Sequence, residues 1–332
     1  MRILQSPFTD IATNLAIEEV LLDETDVLGP SLLFSRNGPA VVFGKNQNAW
    51  REARPRRLAA SGIVAARRNS GGGTVYHDQG NLNFSFILPR EIFNRERQFR
   101  VLLRALDRLG VRAELSRDTS LTVGGRKISG SAFALRATTG LHHGTLLFSA
   151  DLEALTRAIQ PPDWSVEGRG IESIRLPVAN VSELAPEVTE ARWIERLGAE
   201  AWIEWGNGVA PEWVGAETVN PSAVAEKRGH WIDDSWVWDG SPPCGISARG
   251  PLSSGAEAKI RLSVRAGRIE DVRLESSAGL PPGALLAAAW TGRRLRAELP
   301  LPPALPPGWS DFLIGFLNGD VYSSALNAAP KG

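Results

Sequence analysis

Residues 67–86 read RRNSGGGTVYHDQGNLNFSF and set two cations and three successive glycines between segments able to form strands. Such glycines let the backbone adopt positive φ and come close to a ligand, so their amides can form a concave, partly positive nest for an anion. Arg67 and Arg68 would add full charges to that nest. A second segment, GGRKISGSA over 124–132, places Lys127 among glycines and small hydroxyl residues, and a third, LHHGTLLFSADL, begins at Leu141. These residue types suit the joining of two anions. A free carboxylate does not acylate an amine in water, whereas its mixed anhydride with AMP carries a good leaving group. A carboxylate and an α-phosphate about 4 Å apart repel by roughly 4 kcal/mol at an effective dielectric near 20. That step needs a mobile cation between the partners and fixed donors around the phosphate. Lys127 suits the first task, being a compact ammonium with three donors on a flexible stem. Arg68 and the amides after Gly73 suit the second.

The elements that must hold these residues are legible in the hydrophobic periodicity. Asp10 can cap a helix with Ile11, Leu15 and Leu22 on one stripe, and AVVFG at Ala40 reads as a buried strand. NLNFSFIL alternates Leu82, Phe84, Phe86 and Leu88 against Asn81, Asn83 and Ser85, the period of a strand. FRVLLRALDRLG repeats Phe99, Leu102, Leu103, Leu106 and Leu109 at helical spacing and ends at Gly110, a residue suited to a left-handed cap. Asp151 and Thr189 can cap two further helices, the second containing Trp193 and Leu197. Glu18 and Glu19 read as ordinary helix surface, and His142 as a support for a strand beginning at Gly144.

Seven of the 11 tryptophans fall between Trp193 and Trp238, and the chain turns rich in Gly, Pro, Ser and Ala after Pro242. This places a boundary near residue 240, dividing the chain into 1–240 and 241–332. Beyond it, AKIRLSVR and RIEDVRLES flank Ala266 and Gly267, a hairpin signal with a two-residue turn. Prolines from Pro300 to Pro307 interrupt regular structure before a final apolar stretch, DFLIGFL.

Composition narrows the function classes. A chain of 332 residues, 43% of them apolar, can bury a large core and suggests two domains. Lys plus Arg and Asp plus Glu both number 37, so no net field favours nucleic acid or an anionic membrane. No stretch approaches the roughly 20 apolar residues of a membrane span, and the N-terminus lacks leader features; a soluble cytoplasmic protein is expected. The single cysteine, Cys244, rules out an intrachain disulfide framework, and four histidines without cysteine support make zinc a poor reading of His77 or of His142 with His143. The tryptophans read as core rather than as a stacking platform for bases.

The three spaced motifs, together with NLAIEE at Asn14, RNGPAVVFGKNQNAW at Arg36 and GRGIESIRLPVANVSEL at Gly168, resemble the lipoate-protein ligase and lipoyltransferase family over most of residues 10–185. The resemblance implies an α/β (α+β) catalytic domain over 1–240, with a mixed, largely antiparallel sheet flanked by helices as in biotin ligases. It also implies a small α+β accessory domain over 241–332. It implies ATP-dependent conversion of lipoate to lipoyl-AMP, then transfer of the lipoyl group to a lysine of an acceptor protein. ATP, Mg2+ and lipoate are the expected ligands. Lipoyl domains of 2-oxoacid dehydrogenases, the glycine cleavage carrier or a specialised lipoate-binding protein are the expected partners. Carried over residue by residue, Lys127 is the catalytic lysine, and Arg68, Gly73, Thr74, Val75 and Tyr76 bind the nucleotide. Arg68, Ser70, Gly72, His77, Lys127, Ser129, His143 and Gly144 lie along the acyl group, with Leu15 and Val42 as apolar lining. One departure stands out. An acidic pair is usual seven to eight residues before the lysine, where this chain has Thr119 and Ser120, so Asp118 is left as the candidate magnesium carboxylate and no metal is assigned to histidine or cysteine.

That departure keeps a lipoyltransferase fed with ready-made lipoyl-AMP, or with a lipoylated donor protein, as an alternative. An octanoyl transferase working through a cysteine thioester is disfavoured because Cys244 lies beyond the expected boundary. A lipoate-binding carrier or sensor without turnover is the alternative of another class, and a biotin ligase ranks below all of these.

Overall fold

The computed structural model describes residues 1–206, 208, 211–277 and 281–318; residues 278–280 and 319–332 of the expected accessory domain lie outside the described residues. The chain forms two compact units, one of residues 1–45, 66–157 and 173–232, the other of 46–65, 158–172 and 233–332.

In chain order the strands are β1 (Arg2–Gln5), β2 (Ser31–Arg36), β3 (Ala40–Phe43), β4 (Val64–Arg67), β5 (Val75–His77), β6 (Asn81–Pro89), β7 (Glu114–Ser116) and β8 (Ser120–Val123). They continue with β9 (Arg126–Leu135), β10 (Thr139–Leu147), β11 (Ser165–Gly168), β12 (Glu212–Gly215), β13 (Cys244–Pro251), β14 (Glu257–Arg265) and β15 (Arg268–Ser276). The first unit is built on an eight-stranded sheet, β12-β1-β2-β6-β10-β9-β8-β7, beside a small sheet in the order β4-β3-β5. Only β1 pairs in parallel, with β12 and with β2; the other pairings of the large sheet are antiparallel. This is the mixed, largely antiparallel sheet flanked by helices that the family resemblance implied.

Helices cover both faces of that sheet. Helix Arg95–Asp107 starts four residues before the apolar repeat, because Asn94 accepts the Arg97 amide as N-cap, and Gly110 lies at φ 80 beyond its end. It packs with helix Glu190–Trp205, capped by Thr189, against Phe84, Phe86 and Leu88 of β6. The opposite face carries the first helix, Ile11–Asp23, where Ile17, Val20 and Leu21 cover Leu33, Ile87 and Leu141. β6 is therefore buried on both sides, and its polar row Asn81, Asn83, Ser85 faces protein rather than water.

Two local features shape the centre of the sheet. Gly124 and Gly125, at φ 55 and 78, close the β8–β9 hairpin as a two-residue turn requires. The register of that hairpin then slips: Leu121 faces Ser129 but Thr122 faces Lys127, leaving Ile128 as a bulge residue. β10 extends from Thr139, earlier than the sequence indicated, so both His142 and His143 sit inside the strand.

In the second unit the sheet order is β11-β13-β14-β15, all antiparallel. Ala266 and Gly267, at φ 45 and 66, form the expected hairpin turn between β14 and β15. β14 alternates one buried and one solvated face, with Ala258, Ile260, Leu262 and Val264 inward. Trp50 and Trp238 stack with centroids 5.0 Å apart, and Trp164 packs on Phe316.

Candidate functional site

The glycine-rich segment is closed from inside by an arginine. Arg68 leaves the end of β4 fully buried. Its Nη2 donates to the carbonyls of Gly71 and Gly73 at 2.6 and 2.7 Å, its Nη1 to Val42 at 3.0 Å, and its Nε to Ser70 Oγ at 2.9 Å. A planar fork with five donors suits this, since one guanidinium satisfies carbonyls that a tight loop turns inward. Gly72 sits at φ 82, and a Cβ there would lie 3.2 Å from Arg68 Nη2. Gly44, just after β3, has no room for a side chain, because a Cβ would overlap the Gly72 carbonyl oxygen. Arg67 is wholly buried, donating to the carbonyls of Gly44 and Lys45. Burial pulls both guanidinium groups down to about 10; for Arg68, Glu18 works against that fall and Arg67 adds to it.

The bulge in β9 brings Lys127 onto the same face as Gly130. A Cβ on Gly130 would lie 2.8 Å from Lys127 Nζ, so the glycine makes the room along which the ammonium lies. Bulges next to active sites commonly re-aim a side chain in this way. The Lys127 backbone is held on its other edge by Pro177 O and the Ala179 amide, at 2.7 and 3.0 Å. Among the described residues the ammonium has no hydrogen bond or ion pair. Burial lowers its pKa below the ordinary lysine value, and the charge of Arg68 lowers it further.

The remaining candidates divide by strand face and position. Thr74, between the glycines and β5, donates its amide to Ser173 Oγ at 2.8 Å, and Val75, Tyr76 and His77 pair with Val42, Val41 and Ala40. Burial pushes the Tyr76 hydroxyl up, aided by Asp78 and Asp151. His77 is buried and neutral: burial, then the charge of Arg68, drives it down to about 3. Its Nδ1 lies 2.9 Å from Asn37 Nδ2, while Nε2 has no partner among the described residues. His143 Nε2 is 2.6 Å from Ser70 Oγ, and its Nδ1 is 2.9 Å from Glu18 Oε2. Leu15 and Val42 share a small apolar cluster with Ile11, Ala40, Ala66 and Val75.

Other positions lie apart. Ser129 alternates with Gly130 and so turns to the opposite face, its hydroxyl buried without a partner among the described residues. Gly144 is required by packing, since a Cβ would sit 2.5 Å from Phe84 Cζ. His142 is held by Gln98 at 3.0 Å inside a ring of Phe84, Phe86, Phe99 and Phe133, and burial keeps it neutral. Asp118 is at the exposed tip of the β7–β8 hairpin, with φ 58. Among the described residues there is no group of three or more His, Cys, Asp or Glu placed to hold a metal. Cys244 is buried in β13 of the second unit, and burial raises its thiol.

One reading of the sequence is corrected. Glu18 is not helix surface but a buried carboxylate, accepting from Ser85 Oγ at 2.6 Å as well as facing His143. Burial acts to raise it; His143, Ser85 and Arg68 outweigh that and hold it below the usual carboxylate value. One turn earlier on the same helix, Asn14 donates to Asn37 Oδ1 at 2.8 Å, the residue that meets His77. Helical spacing puts Asn14 and Glu18 on one face, each behind one imidazole. Asn14 and Glu18 share the i, i+4 spacing with Glu19 and Asp23, so spacing alone did not show which polar pair would be buried.

Residues 10–201 match the lipoyl protein ligase A/B catalytic domain, and the chain belongs to that family. Lipoate-protein ligase A of Psychrobacter cryohalolentis is 38% identical over 188 residues, 57% of this chain and 56% of that protein, so the match spans only about half of the relative. Among solved structures, P. falciparum LipL1 in complex with lipoate is similar with a TM-score of 0.61 and 24% identity, covering 86% of this chain and 88% of that one. A lipoate-protein ligase A bound with ATP gives 0.60 and 23%, over 71% and 98%. At such identities these structures establish the fold. No helix among the described residues is long and apolar enough to cross a membrane.

Proposed function

We propose that this chain is an ATP-dependent lipoate-protein ligase: it joins lipoate to AMP and passes the lipoyl group to a lysine of an acceptor protein. The observation that carries this is Lys127. A half-buried ammonium lacking a carboxylate partner, within reach of the charge of a buried arginine, is costly unless an anion arrives to balance it. Lipoate and ATP bring two anions that must meet, and Lys127 is the cation able to touch both while they join. Arg68 is the scaffold of the phosphate side, with the glycine-loop amides as donors and Thr74, Val75 and Tyr76 leading away along β5. The unpartnered Nε2 of His77, together with Ser70, Gly72 and His143, lies toward the acyl side. The amine attack that follows releases AMP, whose phosphate leaves toward the same cations. Mg2+ would come bound to ATP, held mainly by phosphate oxygens, and it would neutralise their charge; Asp118 is the carboxylate proposed to assist it. Lipoyl domains of 2-oxoacid dehydrogenases and the glycine cleavage carrier are the acceptor classes proposed, and residues 241–332 are proposed as an accessory domain.

A second reading, transfer from preformed lipoyl-AMP, is favoured by one feature: Thr119 and Ser120 replace the usual acidic pair and Asp118 is exposed. One experiment separates the two. An acceptor lipoyl domain is incubated with the protein, lipoate and Mg-ATP, and in parallel with synthetic lipoyl-AMP, and weighed by mass spectrometry. A lipoyl mass increment in both reactions is expected; an increment only with lipoyl-AMP would make the chain a transferase, and none in either would end both readings.

A further inference from the structure

The residues behind Arg68 form a continuous chain from a cation to a carboxylate. Arg68 Nε donates to Ser70 Oγ at 2.9 Å, Ser70 Oγ lies 2.6 Å from His143 Nε2, and His143 Nδ1 lies 2.9 Å from Glu18 Oε2. With an uncharged His143, one arrangement of protons satisfies every link. Ser70 Oγ already accepts from Arg68, so its own hydrogen is free to be donated onward. Glu18 can only accept, because it is ionised and takes Ser85's hydroxyl as well. His143 must then carry its proton on Nδ1 and leave Nε2 as the acceptor for Ser70.

We infer that Glu18 and His143 are positioning residues: the carboxylate fixes the Nδ1–H form of His143, which orients Ser70 and thereby holds the guanidinium of Arg68 that closes the glycine loop. All bonds in the chain run the same way, so each polarises the next. Glu18 is also the buried carboxylate whose charge opposes that of Arg68. The consequence for ligand binding rests on the proposed function, but the order of protons does not.

With only four histidines in the chain, the ring nitrogens can be read by 15N spectroscopy of the labelled full-length protein, with His143 assigned by its loss in His143→Gln. The expected pattern is a hydrogen on Nδ1 and none on Nε2, and a ring protonated on both nitrogens, as an imidazolium between Glu18 and Ser70 would be, overturns the inference. Glu18→Gln is expected to mix the two neutral forms and to weaken binding of a non-hydrolysable lipoyl-adenylate analogue about tenfold by calorimetry. Ser70→Ala should weaken binding by a similar factor while Glu18 keeps the hydrogen on Nδ1, and it serves alone if Glu18→Gln fails to fold. Because the residues act as one unit, the double variant should bind within about threefold of the weaker single variant. A wild-type ring protonated at Nε2, an unchanged spectrum in Glu18→Gln, or a double variant losing roughly a hundredfold would each overturn the inference. If the wild type shows the expected ring yet binds no analogue, the ligand reading of the site fails while the proton order stands.

Discussion

Arg68 is a buried cation and Lys127 a half-buried one, and they differ in how their charge is used. Arg68 spends its donors on protein carbonyls and Ser70, so it is a fixed part of the loop. Lys127 has no such partner among the described residues, so its donors are open to the anions proposed for it. Lys127→Met, which retains most of the stem, is therefore expected to lower lipoyl-AMP formation at least about a hundredfold, roughly 3 kcal/mol. Its melting temperature should be unchanged or higher, because a desolvated ammonium is removed. Pyrophosphate exchange and a thermal melt check the two halves, and a stable variant with undiminished exchange would count against Lys127. The direction of its pKa shift adds a pH expectation. Since burial and Arg68 lower the lysine below its ordinary value of 10.5, the alkaline limb of kcat/KM should fall below that range. Bound anions favour the ammonium, so the same limb in kcat should lie at higher pH. Coincident limbs would mean that the lysine does not meet an anion.

At the scale of elements, the β9 bulge and two glycines do what the motif alone did not reveal. Lys127 reaches the site face because Ile128 is the extra residue, and Gly130 leaves space along its side chain. A methyl at Gly130 meets only the end of a flexible side chain, so Gly130→Ala should cost little stability while moving the ammonium and reducing turnover about tenfold. A methyl at Gly44 meets backbone, the Gly72 carbonyl, and cannot be accommodated by rotating a side chain. Gly44→Ala is accordingly expected to destabilise the first unit by about 2 kcal/mol or more and to weaken nucleotide binding. Denaturant midpoints should thus separate the two variants, with Gly44→Ala far lower; equal stability losses would refute the distinction. Caps and periodic stripes were readable at Asp10, Asn81, Asp151 and Thr189 because such signals are local. The bulge was not, since it depends on how β8 and β9 register against each other.

On the scale of the whole molecule, the first unit buries two histidines, His77 and His142, in neutral form. A histidine whose folded pKa lies below its unfolded value of 6.5 costs no stability above that pH. Below it, the unfolded chain binds the extra proton and stability falls by about 1.4 kcal/mol per pH unit for each such group. Glu18, held below the usual carboxylate range, adds to the loss at lower pH. Urea midpoints should therefore drop steeply between pH 6.5 and 4, and His142→Gln should flatten that slope; a flat wild-type profile would contradict the burial of both rings. The second unit draws on residues 46–65 and 158–172 as well as the C-terminal stretch. A composition shift near residue 240 could point to a C-terminal boundary but carries no trace of segments contributed from earlier in the chain.

By itself the sequence determined the types of group available, the glycines able to form a nest, the lysine in its small-residue setting, and the alternation of strands and helices. Those properties belong to single residues or to neighbours along the chain, where sterics and hydrogen bonding act over a few bonds. Tertiary structure decided that Glu18 and Asn14 stand behind the site rather than in water, that Ser129 turns away from Gly130, and that Ser173 meets Thr74. Each of those depends on which faces of separate elements meet, and burial changes a residue's chemistry only after that packing is complete.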